Sequence, residues 1–114
     1  MKIEQIEELK KEVEAAVKNL LSGRLKKVIL YGSYARGNYD EESDVDFAVV
    51  ADVSVNEINE FDDSLGTTSF DLSLKYDVVV SIILISEEKF NGYQNILPFY
   101  SNLVKEGIPF YGIQ

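Results

Sequence analysis

Two aspartates and a glycine–serine turn are the residues of this sequence whose types and spacing most clearly indicate chemistry. Gly32 and Ser33 follow an apolar run, and Asp44 and Asp46 open a second apolar run after ten intervening residues. Side chains on a strand alternate between its two faces, so the two aspartates should point to one side while Val45 enters the core. Two neighbouring carboxylates repel each other unless a cation lies between them. The pair therefore indicates a site for a hard cation such as Mg²⁺.

The glycine–serine turn complements the carboxylate pair. Tyr34-Ala35-Arg36 can open a short helix, and the first N–H groups of a helix have no partner inside it. Glycine lets the backbone approach an anion closely, and Arg36 would add a charge-assisted contact to that anion. If the two apolar runs are neighbouring strands, a phosphate held at the turn faces the carboxylates. A nucleoside triphosphate carrying Mg²⁺ is the ligand that uses both features.

The composition excludes most other catalytic chemistry. The 114 residues include no cysteine and no histidine. This rules out a disulfide framework, a thiolate zinc site, a cysteine nucleophile and an imidazole base. Catalysis would have to use carboxylates, Arg, Lys, hydroxyls and backbone amides, a set that suits phosphoryl or nucleotidyl transfer.

Charge and length limit the partners and the domain count. Eleven basic against twenty acidic residues give a net charge of −9, and this balance argues against direct nucleic-acid binding, which needs a basic field. No apolar run approaches the ~18 residues that cross a bilayer, and the first residues do not resemble a signal peptide. The length predicts a single domain over residues 1–114. We therefore expect a cytoplasmic protein with no membrane association.

The hydrophobic pattern predicts the elements that must position these residues. Strands are expected at 25–31, 45–50 and 78–85, a short strand at 108–111, and a loop at 37–43. Helices are expected at 2–22 (stopped by Gly23), at 56–76 (divided at Gly66-Thr67-Thr68) and at 98–107, with a single turn at 87–90. The expected inward-facing residues of the two later helices are Ile58, Phe61, Leu65, Phe70, Leu74, Phe99, Leu103 and Val104. This order predicts a small α/β (α+β) domain with helices packed on a mixed sheet.

The central motif resembles the signature of the polymerase-β-like nucleotidyltransferases. Gly32-Ser33 is followed by Ala35-Arg36-Gly37 and, ten residues after Ser33, by Asp44-Val45-Asp46. The likeness is greatest to the minimal nucleotidyltransferase (MNT) group, whose best-known members are small antitoxins partnered with HEPN-domain toxins. It extends more loosely through the strand at 78–85 to the tail at 102–111. The resemblance implies a mixed β-sheet flanked by helices, in agreement with the predicted element order.

The resemblance also implies an activity. Gly32 and Ser33, assisted by Arg36, would hold a triphosphate, while Asp44 and Asp46 would ligate two Mg²⁺ ions. The metals would activate an attacking hydroxyl, stabilise charge at the α-phosphate and neutralise the departing pyrophosphate. The implied reaction moves a nucleoside monophosphate, AMP from ATP, to a hydroxyl acceptor, with a tyrosine of a HEPN-type toxin as the expected acceptor.

The third carboxylate of the family pattern has two possible positions in this sequence. The family commonly supplies it inside an apolar run, and the corresponding run here is Tyr76-Asp77-Val78-Val79-Val80-Ser81. If Asp77 takes the position, it completes a catalytic, metal-binding set with Asp44 and Asp46. If Ser81 takes it, the third ligand is missing. Asp71 is a poorer candidate because it lies on a predicted helix.

Several alternatives remain open at this point. Arg36 could instead pair on the surface with Asp40, Glu41 or Glu42, three acids that are themselves expected to be solvated loop residues. Aromatic residues near the carboxyl end would form core packing or a partner surface: Phe90, Tyr93, Phe99, Tyr100, Phe110 and Tyr111. The whole chain could also be a non-catalytic antitoxin that masks its partner, or a nucleotide sensor that binds without transfer.

Overall fold

The computed structural model describes residues 1–112, and within them the chain forms five helices and four strands. In chain order these are α1 (Ile3–Leu21), β1 (Leu25–Tyr31), α2 (Ser33–Arg36), β2 (Val45–Ala51), α3 (Val55–Tyr76), β3 (Val80–Ser86), α4 (Glu87–Tyr93), α5 (Pro98–Glu106) and β4 (Ile108–Tyr111). The strands form one sheet in the order β3-β2-β1-β4, in which β2 and β3 are parallel and the other pairs are antiparallel. The predicted mixed sheet flanked by helices is confirmed.

Strand β2 is buried on both faces of the sheet, which explains its nearly continuous apolar sequence. Val45 and Phe47 belong to the core that α1 and α3 cover on one face. Ala48 and Val50 belong to a second core on the opposite face, where α4 and α5 pack. Asp46 shares this second face and is the only residue of β2 that is not fully buried. The carboxylate therefore lies at the open end of a layer that is otherwise apolar.

Helix α1 has the predicted amphipathic character and ends one residue earlier than predicted. Its residues Leu9, Val13 and Val17 recur every four positions and are completely buried against the sheet. The helix ends at Leu21, and the chain reverses through Ser22, which takes a positive φ of 52°. Gly23 lies inside the 3-10 turn Ser22–Arg24. Gly23 therefore takes the predicted C′ position directly after the C-cap Ser22, although the positive φ falls on Ser22.

Helix α3 is continuous, so the predicted division at Gly66-Thr67-Thr68 is wrong. The hydroxyl of Thr68 donates a hydrogen bond to the Ser64 carbonyl at 3.0 Å within the helix. Leu65 and Leu72 on either side of this segment are both buried in the core. Tertiary packing along the whole helix outweighs the weak local propensity of one glycine and two threonines.

The apolar face of α3 is narrower than the sequence pattern indicates. Phe70 and Leu74, both expected to face inward, are 63% and 68% exposed. The same correction applies to α5, where Leu103 is buried but Phe99 and Val104 are 43% and 52% exposed. Each helix contacts the sheet along one side only, so side chains that point away from that side remain in solvent.

Strand β3 begins at Val80, two residues later than predicted. Asp77 ends α3 in the left-handed conformation, with φ 53° and ψ 47°. Ser73 then fixes the start of the strand: its carbonyl accepts from the N–H of Val78 at 3.3 Å and its hydroxyl accepts from the N–H of Val80 at 2.9 Å. The end of α3 therefore sets where β3 enters the sheet.

The helices and the strand of the C-terminal part follow the predicted order. Helix α4 is longer than the expected single turn and buries Phe90, while Tyr93 stays 39% exposed. Strand β4 pairs with β1, and the ring of Phe110 meets that of Phe47 edge to face at 5.8 Å between centroids. The aromatic residues here thus divide between core packing and the surface. Across the described residues, no helix combines the length and the apolar character needed to span a bilayer.

Candidate active site

The turn between β1 and α2 is built around Gly32. This residue has a φ of 75° and a ψ of −156°, which glycine adopts without strain. Its carbonyl accepts from the N–H groups of Ala35 and Arg36, both at 3.1 Å. The N–H groups of Ser33 and Tyr34 lie in the first turn of α2 and so have no acceptor inside the helix. The turn therefore presents the backbone donors that the glycine–serine motif predicts for binding phosphate.

Gly32 lies directly against the carboxylate of Asp46. Tyr31, the residue before the glycine, is paired with Asp46 across β1 and β2. A Cβ atom added to Gly32 would lie only 2.5 Å from the Oδ2 atom of Asp46. Gly32 thus has two structural roles. It permits the turn, and it leaves space for the carboxylate of Asp46. The expectation that the turn faces the carboxylate side of a neighbouring strand is met.

Asp44 and Asp46 form an unequal pair at the start of β2. Asp44 is exposed, whereas Asp46 is half-buried, and the intervening Val45 is completely buried as predicted. Burial raises the pKa of Asp46 above its ordinary value, the charge of Asp44 raises it further, and Arg36 acts in the opposite direction. Ionising both carboxylates is therefore costly in the free protein. A cation would remove this cost.

Asp40, predicted to be a solvated loop residue, instead folds the acidic loop before Asp44. The Oδ1 atom of Asp40 accepts from the N–H of Glu42 at 2.9 Å and from the hydroxyl of Ser43 at 3.2 Å. The Asp40 N–H donates to the Ser43 hydroxyl at 2.9 Å. The Asp-x-x-Ser spacing is the signal that could have predicted this turn. Asp40 therefore helps to hold the chain that leads into Asp44.

A stack of two tyrosines attaches the same loop to α2. The rings of Tyr34 and Tyr39 lie 4.1 Å apart with an angle of 10° between them. Tyr34 is buried, so the stack connects the exposed loop to the core. The two halves of the motif are thus joined by this contact as well as by the sheet.

Arg36 pairs with an acidic residue of α5 that the sequence pattern does not indicate. Its Nη1 atom lies 3.7 Å from the Oε2 atom of Glu106 on α5, and not beside the acidic loop. Both side chains are about half exposed, so the pair adds little to stability. It does orient the guanidinium toward a cleft of about 210 Å³ beside the glycine turn. The cleft is lined by Tyr31, Gly32, Arg36, Phe99, Asn102, Leu103 and Glu106.

Ser81, and not Asp77, lies beside Asp46 in the sheet. The parallel register of β2 and β3 pairs Asp46 with Ser81, so both side chains lie on the same face. Asp77 is exposed, outside β3, and in the left-handed cap of α3. Within residues 1–112 no three His, Cys, Asp or Glu side chains come together as a possible metal site. Asp44 and Asp46 are thus a pair that Asp77 does not join.

Comparison with known sequences identifies relatives over most of the chain. Residues 6–109 match the family described as nucleotidyltransferase domain. A Methanocaldococcus jannaschii protein, MJ0604, named as a candidate protein adenylyltransferase, is 45% identical over 97 residues, which cover 85% of this chain and 89% of the relative. A second protein of that organism, MJ0141, has the same kind of name and is 42% identical over 80 residues, covering 70% and 79%.

Comparison with solved structures supports the same fold. A toxin–antitoxin crystal structure with AMP-PNP matches with a TM-score of 0.61 and 19% identity, covering 91% of this chain and 73% of the other. A chain of the complex between tri-AMPylated Shewanella oneidensis HEPN toxin and MNT antitoxin matches with a TM-score of 0.52 and 18% identity, covering 93% and 74%. At these identities the likeness concerns the arrangement of helices and strands.

Proposed function

Because this chain belongs to the nucleotidyltransferase domain family, we propose that it moves AMP from ATP to a hydroxyl on a partner protein of the HEPN toxin type. The observation that carries this proposal is the contact between Gly32 and Asp46, where a Cβ atom would come within 2.5 Å of the carboxylate. Such closeness lets one ligand use the backbone donors of the turn and, through a cation, the carboxylates. A triphosphate with its metal is a ligand of this kind.

The relatives support the choice of AMP and of a protein acceptor. Two sequences at 45% and 42% identity carry the name of protein adenylyltransferases. The structural neighbours include an MNT antitoxin complex in which the HEPN toxin carries AMP groups. We extend both features to this chain as part of the proposal, with a tyrosine as the acceptor.

The donor set of the site fits a divalent cation. Asp44 and Asp46 supply oxygen ligands, and the sequence contains no cysteine thiolate or histidine imidazole to join them, as suits Mg²⁺. Bound Mg²⁺ would supply positive charge to the triphosphate and to the attacking oxygen. We propose two ions, held by these carboxylates together with phosphate oxygens.

The remaining residues bind and orient the nucleotide. The N–H groups at the Gly32-Ser33 turn hold phosphate oxygens, and Arg36, oriented by Glu106, neutralises their charge. The cleft beside Tyr31 takes the nucleoside. In the transfer, the acceptor oxygen forms a bond to the α-phosphorus and the bond from that phosphorus to pyrophosphate breaks. The hydroxyl proton passes to water.

The position of Ser81 supports a second candidate function. Its register with Asp46 supports assigning it to the position where the family commonly has a third carboxylate, and a hydroxyl is a weaker ligand for Mg²⁺. A chain with two carboxylates could bind Mg²⁺ and ATP and act as an antitoxin by masking its partner without transfer. The third-ligand role predicted for Asp77 is the less supported alternative, given its place in the helix cap.

Label transfer distinguishes the two functions. The protein is incubated with Mg²⁺ and α-labelled ATP, with and without the product of the neighbouring gene, and label on protein is measured. Transfer should depend on Mg²⁺ and should be lost in Asp46→Asn. The matched control is Asp63→Asn, which neutralises an exposed aspartate on α3 and should transfer as the wild type does.

The possible results of this experiment distinguish the enzyme from the masking antitoxin. Metal-dependent label on the partner supports the enzyme. ATP binding and complex formation without label support the masking antitoxin. Full transfer by Asp46→Asn would remove the carboxylate pair from the mechanism and overturn the proposal.

A further inference from the structure

Three exposed apolar side chains form a patch on the side of the carboxylate pair that faces away from the cleft. Phe70 and Leu74 of α3 and Val79, just before β3, are 63%, 68% and 58% exposed. All three line one cavity of about 400 Å³. Scattered exposed apolar residues are ordinary, but three that share a concave surface are typical of a contact site. We call these three residues the α3 patch.

The rim of the α3 patch is acidic. The same cavity is lined by the carboxylate residues Glu41, Glu42 and Asp77. In the described part of the chain, no Lys or Arg contributes to this lining. An apolar floor with a negative rim complements a segment that combines an apolar or aromatic anchor with basic neighbours. It disfavours phosphate-bearing partners such as nucleic acids and anionic membranes.

The α3 patch is connected to the carboxylate pair through the backbone. The N–H of Val45, the residue between Asp44 and Asp46, donates a hydrogen bond to the Val79 carbonyl at 2.9 Å. Glu41 and Glu42 precede Asp44 by three and two residues. A segment bound on the α3 patch therefore lies within a few ångströms of the chain that carries the carboxylates.

The carboxylate pair has different neighbours on its two sides within the sheet. Asp46 has Tyr31 as its neighbour on β1 and Ser81 as its neighbour on β3. The cleft proposed for the nucleoside lies on the Tyr31 side. The α3 patch lies on the β3 side. Because α3 packs on the sheet face opposite to Asp46, a segment docked on the α3 patch would reach Asp46 around the start of β2 and β3, where Val45 is hydrogen-bonded to Val79.

From these observations we infer that the α3 patch and its acidic rim dock the protein that accepts AMP, through a basic segment that carries the acceptor tyrosine. The inference rests on the proposed transfer to a protein hydroxyl, and it adds the surface and the charge of the partner. Phe70 and Leu74 supply the apolar contact, and Glu41 and Glu42 select basic residues. The docking residues do not touch ATP.

Peptide binding tests the surface independently of transfer. Two fluorescein-labelled peptides of equal length, one of Lys and Tyr and one of Glu and Tyr, are titrated with the full-length protein and followed by anisotropy. The basic peptide should bind, and the acidic peptide should not. Phe70→Ala with Leu74→Ala should weaken binding about tenfold, and Glu41→Gln with Glu42→Gln should weaken it and reduce its dependence on salt. The matched control is Val55→Ala with Ile96→Ala, which removes exposed apolar side chains from outside the patch.

Calorimetric titration with Mg²⁺ and ATP separates this inference from the proposed function. The α3 patch variants should bind ATP as the wild type does, whereas Asp46→Asn should lose ATP binding and keep peptide binding. If the wild-type protein binds the basic peptide but does not bind ATP with Mg²⁺, the proposed function is refuted and the docking surface is not. Three results would overturn the docking surface. They are no binding of the basic peptide up to about 1 mM, equal binding by the Phe70/Leu74 variant, and Phe70-dependent binding of DNA, anionic vesicles or a second copy of the chain.

Discussion

Asp46 and Ser81 are direct neighbours across the parallel strands β2 and β3. Their side chains share the face of the sheet on which the glycine turn opens, and Ser81 is only partly buried. A carboxylate at position 81 would therefore lie beside the existing pair and outside the apolar core. This relationship favours position 81 over position 77 as the place beside Asp46 for a third acidic residue.

Ser81→Asp should create a metal site that is stronger than that of the wild type. In EDTA the third carboxylate adds repulsion, so the melting temperature should fall. In Mg²⁺ it should rise by more than in the wild type, since a tenfold gain in affinity adds about 1.4 kcal/mol, or about 5 °C for a domain of this size. Thermal melts with and without Mg²⁺ measure both effects.

Ser81→Asn is the matched control, because it has the shape of aspartate without the charge. It should show neither the loss in EDTA nor the gain in Mg²⁺. If Ser81→Asp melts at the same temperature in both conditions, position 81 does not contribute to the site.

Asp77→Asn should leave the chemical step nearly unchanged. Asparagine tolerates the left-handed conformation of Asp77 as well as aspartate does, so the cap of α3 should survive. Transfer at saturating acceptor should stay within about twofold of the wild type, while a basic acceptor should bind more weakly because a rim charge is lost. Steady-state kinetics separates kcat from KM. A fall in kcat by orders of magnitude would return Asp77 to the catalytic set.

Gly32→Ala should disrupt the site by displacing Asp46. The new Cβ would lie 2.5 Å from the Asp46 Oδ2 atom, and the φ of 75° is strained for alanine. We expect a loss of about 1–3 kcal/mol in unfolding free energy and at least tenfold weaker binding of ATP with Mg²⁺. Urea denaturation and calorimetric titration give the two values.

Gly66→Ala is the control for this substitution. A Cβ at Gly66, inside α3, would meet no atom within 4 Å. Alanine there should raise stability by about 0.5–1 kcal/mol and leave ATP binding unchanged. ATP binding by Gly32→Ala at wild-type affinity would show that the turn does not hold the ligand.

Glu57 should make stability depend on pH in the acidic range. The Ser54 N–H and the Arg24 guanidinium hydrogen-bond its carboxylate and lower the pKa of Glu57 from 4.5 to about 2. A pKa that is lower in the folded state contributes stability above the unfolded value, and this contribution is lost as the pH falls from 4.5 toward 2. Glu57→Gln should therefore be less stable than the wild type at neutral pH, and the difference should shrink as the pH falls through this window.

Denaturation at neutral pH and at about pH 3 tests this dependence. Glu60→Gln on the same helix, which removes an exposed carboxylate, is the control and should show no such convergence. A constant difference between Glu57→Gln and the wild type across the window would contradict the assignment.

The sequence alone determined the family and predicted the local chemistry. Gly32, Ser33, Asp44 and Asp46 lie within one short segment, and their roles depend on residue type and on the alternation of a strand, both of which can be read locally. The apolar runs that became β1 and β2 were predicted within one residue for the same reason. The match of residues 6–109 to the nucleotidyltransferase domain family confirms the family, and the roles of the four residues stay a prediction.

Only the tertiary structure decided which residues meet across the sheet and which face solvent. Ser81, and not Asp77, adjoins Asp46 because α3 runs on to Tyr76 and Ser73 then sets the entry of β3. Phe70 is exposed because α3 contacts the sheet along a single side. Such features depend on how separate segments pack, and a change of one residue in strand register moves every side chain to the other face. The local sequence pattern does not specify the strand register or the packing of separate segments.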